Sequence, residues 1–342
     1  MEGCTMQKKR VAINGFGRIG RLALRALYEY ENEGLFDIVA TNSRTSAEQR
    51  AYLFKYDSVH RRFSGDLKIS EGSLVINGKE IKVLAEPEPK NLPWKELGVD
   101  LVIESSGKYT DARMAEGHLS AGAKKVLITA PAKNEDATIV MGVNEHIYDP
   151  SAHHIVSNAS CTTNCLAPVV KVLYENFGIE EGLMTTTHSY TNDQKTLDSS
   201  HKNFHRGRAA ALSLIPTTTG AAAAIGKVYP QVEGKMNGIA VRVPTPDVSL
   251  VDLVVRLSSP ATKETINGAF KKASSGPLEK YLGYEEDDLV SVDFTGDSRS
   301  SIFAARHTMA LGTMAKILAW YDNEWGYACR VIDLANYMLG KE

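Results

Sequence analysis

Two cysteines four residues apart, Cys161 and Cys165 in the stretch NASCTTNC (158–165), are the first candidates for chemistry in this chain. Such a pair can be half of a metal site, a redox couple, a packed helix start, or a nucleophile at a helix end. Metal pairs come with partner Cys or His at set intervals, and no such partners accompany this one. The stretch CTTNCLAPVVKVLYENF (161–177) repeats Leu166, Val169, Val170 and Leu173 at helical spacing, with Gly178 as a stop and Ser160 as an N-cap. Cys161 then lies in the first turn, where unsatisfied N–H groups and the positive dipole end favour thiolate. Cys165 lies one turn further in, among apolar neighbours, and reads as a packed thiol.

A thiol nucleophile needs a base or a positive neighbour. Of nine histidines, His188 is the candidate, because TTTHSYTNDQ places it at the end of an apolar strand that would hold it firmly. His60, His118, His153, His154, His201, His205 and His307 sit in polar or loop contexts and read as solvated, while His146 is unassigned. Sequence alone does not show that Cys161 and His188 touch. Read by itself, a Cys/His pair also suits a cysteine hydrolase.

A second motif argues against hydrolysis, which needs no nicotinamide. RVAINGFGRIGRLALRALY sets Gly15, Gly17 and Gly20 in G-x-G-x-x-G spacing between a strand and a helix. Glycines permit the tight turn and a close approach of backbone to pyrophosphate, and the helix N-terminus supplies N–H groups. The bland alternative is a glycine-rich packing turn. An NAD site ends its second strand with an acidic residue for the ribose 2′-OH. Here Ser43 and Arg44 stand at that place, and a guanidinium forks onto phosphate oxygens. That choice points to NADP, against the alternative of a solvated loop arginine.

The elements that must position these residues fall into two patterns. Up to residue 160, apolar runs alternate with helical stretches: RVAIN, FDIVATN, IKVLAE, DLVIESSG, KVLITAP, TIVMGV (138–143) and HIVSNAS, with helices over 18–31 and 111–123. This predicts an α/β dinucleotide-binding domain of the Rossmann type, its mostly parallel sheet covered on both faces. Beyond it, LMTTTHSYT, NGIAVRVPTP, VSLVDLVVRLSS, LVSVDF (289–294) and TMAKILAWYD read as strands. Fewer helices intervene, which predicts an α+β catalytic domain with a mostly antiparallel sheet. The expected domains are 1–160 and 161–323, with a terminal helix over 324–342 packing back on the first.

Bulk properties narrow the field. The chain has 342 residues, 39 basic and 41 acidic, for a net charge of −2, which argues against nucleic acid or a membrane surface as partner. No apolar run approaches the roughly 18 residues of a membrane span. The start MEGCTMQKKR lacks a secretory apolar core, and Cys4, Cys161, Cys165 and Cys329 make no disulfide framework. A reducing, cytoplasmic setting follows as the expectation, and no metal site is expected.

Five motifs, NGFGRIGR (14–21), NASCTTNCLAP (158–168), HSYTNDQ (188–194), RVPTP (242–246) and WYDNEWGY (320–327), stand in the order found in phosphorylating glyceraldehyde-3-phosphate dehydrogenases. The chain resembles that family from about residue 9 onward. The resemblance implies Cys161 as nucleophile and His188 as base. Glyceraldehyde 3-phosphate and inorganic phosphate would be the substrates, 1,3-bisphosphoglycerate the product, and the assembly a homotetramer. It implies one anion site at Ser160, Thr162, Thr219 and Gly220, and another at Thr191, Arg206 and Arg242. For the cofactor it implies Arg18 and Ile19 at the pyrophosphate and Thr129 at the nicotinamide ribose. Asn323 would take the carboxamide and Tyr327 pack near the ring, with Ser106 and Gly107 lining the site. NAD-using members carry Asp where this chain has Ser43 and Leu-Pro where it has Ser199 and Ser200. Both departures remove an obstacle to a 2′-phosphate, so NADP is favoured and dual use with NAD stays open. An arginine that members place near the adenosine is Pro87 here, which points the other way. Erythrose-4-phosphate dehydrogenase and a redox-sensing binding protein on the same fold are the alternative readings.

Overall fold

The first strand, Lys9–Asn14, shows why a parallel sheet forms: four of its six residues are buried, so both faces must be covered. The computed structural model describes residues 8–30 and 36–342; Cys4 and Glu31 lie outside them. The chain divides into two compact units, residues 1–139, 146–159 and 328–342 in one, and 140–145 and 160–327 in the other.

The first unit contains β1 (Lys9–Asn14), α1 (Arg18–Glu29), β2 (Phe36–Asn42), α2 (Ala47–Lys55) and a short ladder of β3 (Tyr56–Asp57) with β4 (Arg61–Arg62). A meander of β5 (Leu67–Ser70), β6 (Ser73–Ile76) and β7 (Lys79–Leu84) follows. Then come β8 (Leu101–Glu104), α3 (Ala112–Ser120), β9 (Lys125–Ile128), β10 (Ala137–Thr138) and β11 (Ile155–Ser157). The strands make one nine-stranded sheet in the order β10-β11-β9-β8-β1-β2-β7-β6-β5. Pairing is parallel from β10 to β7, and the meander alone is antiparallel. Trp94 is fully buried with Ala12, Ala40, Leu92, Val99 and Val102 on one patch of this core. Full burial of such side chains contributes about 1.5–3 kcal/mol each.

Three arginines, Arg25, Arg50 and Arg330, are among the largest fully buried side chains. Each must find acceptors, since an unpaired buried charge is costly. Arg25 donates to the carbonyls of Phe54, Lys55, His60 and Arg61. Arg330 pairs with Asp333 at 2.6 Å and donates to the Tyr30 hydroxyl.

The second unit contains α4 (Cys161–Phe177), β12 (Ile179–Ser189), β13 (Ile215–Thr218), α5 (Ala221–Val228), β14 (Met236–Val243) and β15 (Ser249–Leu257). After α6 (Lys263–Ser274) come β16 (Leu282–Glu285), β17 (Ser301–Ala304), β18 (Met309–Leu311), β19 (Met314–Tyr321) and α7 (Trp325–Gly340), whose later turns belong to the first unit. The sheet order is β13-β14-β12-β15-β19-β17-β16, with β18 beside β19. It is mostly antiparallel, with β12–β14 and β16–β17 the parallel pairs. One long strand, β12, thus carries His188 near its end, flanked by β14 and β15.

Two expected strands differ from the structure. Within TIVMGV the strand stops at Thr138, because Asn144 Oδ1 accepts the Val140 N–H at 2.8 Å and Gly142 turns the chain at φ +82. A Cβ on Gly142 would sit 2.4 Å from the Tyr281 ring, a close approach within the second unit. LVSVDF forms a 3₁₀ turn over Ser291–Phe294 instead of a strand. Asp293 Oδ2 accepts the Val290 N–H at 2.8 Å, while Phe294 stacks on Trp320 with centroids 5.4 Å apart. A local cap and one buried ring replace ladder pairing.

Candidate active site

Helix α4 begins at Cys161 because Ser160 caps it: the Ser160 hydroxyl accepts the Thr163 N–H at 3.0 Å. Asn164, Cys165, Leu166, Val169, Val170 and Leu173 are buried, so the apolar stripe anchors the helix and leaves Cys161 at its half-exposed start. Cys165 is fully buried, its sulfur 3.5 Å from Ser301 Oγ, and burial pushes its thiol up to about 12. It is inert packing.

Strand β12 brings His188 to Cys161, with Sγ 3.5 Å from Nε2. On its other side, Nδ1 lies 2.7 Å from the Ser189 carbonyl and 2.9 Å from Arg242 Nη1. The carbonyl only accepts and the guanidinium only donates, so they compete for Nδ1; a proton there serves the shorter contact, and in that tautomer Nε2 is bare toward the thiol. Arg242 Nη1 then donates to the same carbonyl at 2.9 Å and to Thr191 Oγ1 at 3.4 Å. The imidazole is held from behind and open in front.

Burial pulls His188 down to about 3, with Arg242 and Arg206 adding to it against the Ser189 carbonyl. Burial also pushes the Cys161 thiol up, opposed by Arg242 and by the Thr162 hydroxyl and N–H. The N–H groups of the helix start pull the thiol down, as the sequence leads one to expect, while burial pulls it the other way. Low-dielectric surroundings penalise either lone charge. Proton transfer from Sγ to Nε2 places opposite charges side by side, and their attraction offsets part of that penalty.

Tyr321 was not marked by the sequence. Its hydroxyl sits 2.9 Å from both Thr162 Oγ1 and Thr186 Oγ1, and its ring meets the His188 imidazole edge-on at 6.0 Å. Alternation in TMAKILAWYD puts Tyr321 on the inward face of β19, but which helix start it meets is a tertiary fact. The Thr162 hydroxyl is thereby engaged with Tyr321, one residue along the first turn from the thiol.

Arg206 donates to Thr217 Oγ1 at 3.1 Å and to Asp193 at 2.6 Å, and it shares a positive field with Arg242. Arg242 Nε and Gln194 Nε2 are buried without a hydrogen-bond partner among the described residues. Orphaned buried donors are rare and suit an anion or water. Gln194 was another residue the sequence did not single out. Thr219 and Gly220 stand at the start of α5, which has no side chain in its cap position; Thr219 Oγ1 accepts the Ala221 N–H at 3.2 Å. Ser199 and Ser200 are exposed. Tyr327 lies in the first turn of α7, and Asn323 in the turn before it.

In the first unit, Gly15 has φ +94 and a Cβ there would lie 2.3 Å from Ser106 N. A Cβ on Gly20 would lie 2.1 Å from the Gly15 carbonyl, so a side chain at either position would strain the turn. Gly17, the N-cap of α1, has open space around it and no side-chain cap. A helix start without a side-chain cap, beside an open position, fits a pyrophosphate. Ile19 is half-buried in that first turn. The Arg18 side chain is paired with Asp57, whose carboxyl burial would raise but Arg18 holds at about 2.

Ser106 donates through both N and Oγ to Glu104, and Gly107 turns outward at φ +72. Thr129 Oγ1 donates to the Glu104 carbonyl at 3.2 Å. Glu104 also binds His118, correcting the reading of that histidine as solvated. His118 is fully buried, with Nδ1 3.0 Å from the Trp94 indole N–H and Nε2 3.0 Å from Glu104. An indole only donates, so Nε2 carries the proton and the imidazole is neutral. Ala112, Ala115 and His118, all buried on one face of α3, were the available signal.

Beyond β2, Ser43 is half-buried and Arg44 exposed. The turn they occupy is tied by fully buried Arg50, which donates to the carbonyls of Thr41, Ser43, Thr45 and Leu84 at 2.6–3.1 Å.

Two family models match the chain, the NAD binding domain of glyceraldehyde 3-phosphate dehydrogenase at residues 9–112 and its C-terminal domain at 160–323. The glyceraldehyde-3-phosphate dehydrogenase of Geobacillus stearothermophilus is 56% identical over 97% of this chain and 98% of its own. That of Streptomyces coelicolor is 54% identical over 96% and 98%, and glyceraldehyde-3-phosphate dehydrogenase 1 of Bacillus cereus is 54% identical over 97% and 99%. With both domains matched and identity sustained along nearly its whole length, this chain belongs to the glyceraldehyde-3-phosphate dehydrogenase family and is an NAD(P)-dependent oxidoreductase.

Proposed function

We propose that this protein oxidises glyceraldehyde 3-phosphate with inorganic phosphate to 1,3-bisphosphoglycerate, with Cys161 as nucleophile and His188 as base. The observation that carries this reading is the 3.5 Å approach of Sγ to a buried, neutral imidazole beside two arginines. Sγ adds to the aldehyde carbon while His188 Nε2 takes up the thiol proton and passes it to the aldehyde oxygen, forming a thiohemiacetal. The same imidazole, after release of that proton, accepts the proton of the thiohemiacetal hydroxyl as the carbon is oxidised to a thioester. Bound nicotinamide supplies the hydride acceptor. Inorganic phosphate then attacks the thioester carbon, the acyl–sulfur bond breaks, and Cys161 is regenerated. A thioester conserves enough energy to form an acyl phosphate, which an oxygen ester would not.

Arg242, Arg206, Thr191 and Gln194 offer donors for one phosphate, and Ser160, Thr219 and Gly220 for the other. The open position at Gly17 and the uncapped α1 suit the pyrophosphate, with Arg18 and Ile19 contributing backbone. Ser43 and Arg44 support NADP, since no acidic side chain stands at the end of β2 to repel a 2′-phosphate; NAD remains a second substrate. Exposed Leu183 and Ile239 on the second sheet, with Leu197, Phe204, Leu212 and Leu214, support a homotetramer. A thiol nucleophile suits a reducing, cytoplasmic setting.

The test is the absorbance of reduced nicotinamide formed from glyceraldehyde 3-phosphate, with and without phosphate, using each cofactor. Cys161→Ser should abolish turnover, and His188→Asn should lower kcat by roughly 10²–10⁴. Phosphate-independent turnover, or equal rates with erythrose 4-phosphate, would sink the assignment.

A further inference from the structure

The geometry points to Ser249 and Ser189 as positioning residues that lock the side-chain amide of Asn323, so that it offers a donor, never an acceptor, to the cofactor's carboxamide. This rests on the reading of the protein as nicotinamide-dependent and on the place at the carboxamide that the family resemblance implies for Asn323.

Both hydroxyls converge on one atom. Ser189 Oγ donates to Asn323 Oδ1 at 2.8 Å, and Ser249 Oγ donates to it at 2.6 Å. Ser249 Oγ also accepts the Ser189 N–H at 3.1 Å, so its own proton is directed at Asn323. All three side chains are buried. Reversing the amide would set an NH₂ group against two hydroxyls and leave the proton of Ser249 without an acceptor, a costly arrangement in a buried network. Oδ1 is therefore fully engaged, and Nδ2 makes no hydrogen bond among the described residues. The backbone under Asn323 is held independently. Asp322 Oδ1 accepts the N–H groups of Glu324 and Trp325 at 2.9 and 2.7 Å, and its Oδ2 accepts that of Gly296 at 2.8 Å.

The consequence is directional. A donor-only contact holds the carbonyl of the carboxamide and not its NH₂. Ser189 follows His188 in β12, so the strand that aims the base also aims the amide.

The experiment measures dissociation constants by tryptophan fluorescence for NAD, NADP, ADP-ribose, its 2′-phosphate and the 3-acetylpyridine analogue of NAD. The proteins are the native one, Ser249→Ala, Asn323→Ala and the double variant. Ser249→Ala should weaken the dinucleotides about three- to tenfold and leave the ADP-riboses unchanged. In the Asn323→Ala background it should have no further effect, because the two residues then share no interaction. An effect that persists there, ADP-ribose affinity falling in parallel, or dinucleotide binding unchanged in Ser249→Ala would overturn the proposal. Asn323→Asp keeps an acceptor for the serines but presents another acceptor outward. It should lose the ketone analogue about tenfold more than NAD, whose NH₂ can swing round; equal losses would refute the donor assignment. No binding of any probe to the native protein would instead overturn the functional reading beneath it.

Discussion

Two alanine substitutions in one glycine motif should give opposite phenotypes. At Gly17 the backbone is extended, φ −76 and ψ −160, and no atom lies within 4 Å of a built Cβ. Gly17→Ala should therefore leave stability within about 1 kcal/mol of native. Its methyl, however, occupies the position where backbone must approach a pyrophosphate, so cofactor dissociation constants should rise at least about tenfold, or about 1.4 kcal/mol. At Gly20 a Cβ would lie 2.1 Å from the Gly15 carbonyl and 2.6 Å from Ser105 Oγ, far inside ordinary contact. The serine can rotate, but the carbonyl belongs to a turn fixed by the Asn42 carbonyl, which accepts the Gly15 N–H at 2.8 Å. Overpacking of this kind costs about 1–3 kcal/mol, partly offset by the better helix propensity of alanine. For a unit of this size, Gly20→Ala should lower Tm by roughly 2–10 °C. Thermal unfolding and fluorescence titration with NAD and NADP decide the matter. Native affinity in Gly17→Ala, or a native Tm in Gly20→Ala, would refute the division of labour between these glycines.

Other expectations follow from the same geometry. Asp57→Asn should cost about 2 kcal/mol at neutral pH, seen in urea unfolding. Because the folded carboxyl titrates at about 2, below its ordinary 3.8, that contribution is complete above about pH 4. It disappears as pH falls toward about 2, so the native and variant curves should converge there, and parallel curves would contradict the ion pair. Arg242→Leu removes the positive charge that lowers the Cys161 thiol, so alkylation of Cys161 by iodoacetamide should need higher pH; an unshifted profile would remove Arg242 from that role. Ser43→Asp should turn cofactor preference toward NAD on the order of tenfold by charge repulsion with a 2′-phosphate. An unchanged ratio of kcat/KM values would count against Ser43 and Arg44 as the reason for NADP use.

Local pattern was enough for several parts of this molecule. Ser160, Cys161 and the stripe Leu166, Val169, Val170 and Leu173 define α4 and its start, because cap chemistry and helical period act within a few residues. Gly15, Gly17 and Gly20 mark a strand–turn–helix for the same reason. His118 defeated that approach: a histidine beside Glu116 and Ser120 passes for a solvated one, and only folding brings Trp94 and Glu104 against it. LVSVDF has a strand's composition, yet Asp293 captures the Val290 N–H and makes a turn.

Residue types and order along the chain thus determined which groups could react and which helix or strand end would bear them, since those are short-range matters of period, capping and charge. Partnership was decided only by tertiary structure. Cys161 and His188 are 27 positions apart, and Ser189 and Asn323 are 134 apart; no local rule joins them. Burial likewise set the protonation of His188, because desolvation depends on everything packed around a group and not on its neighbours in sequence.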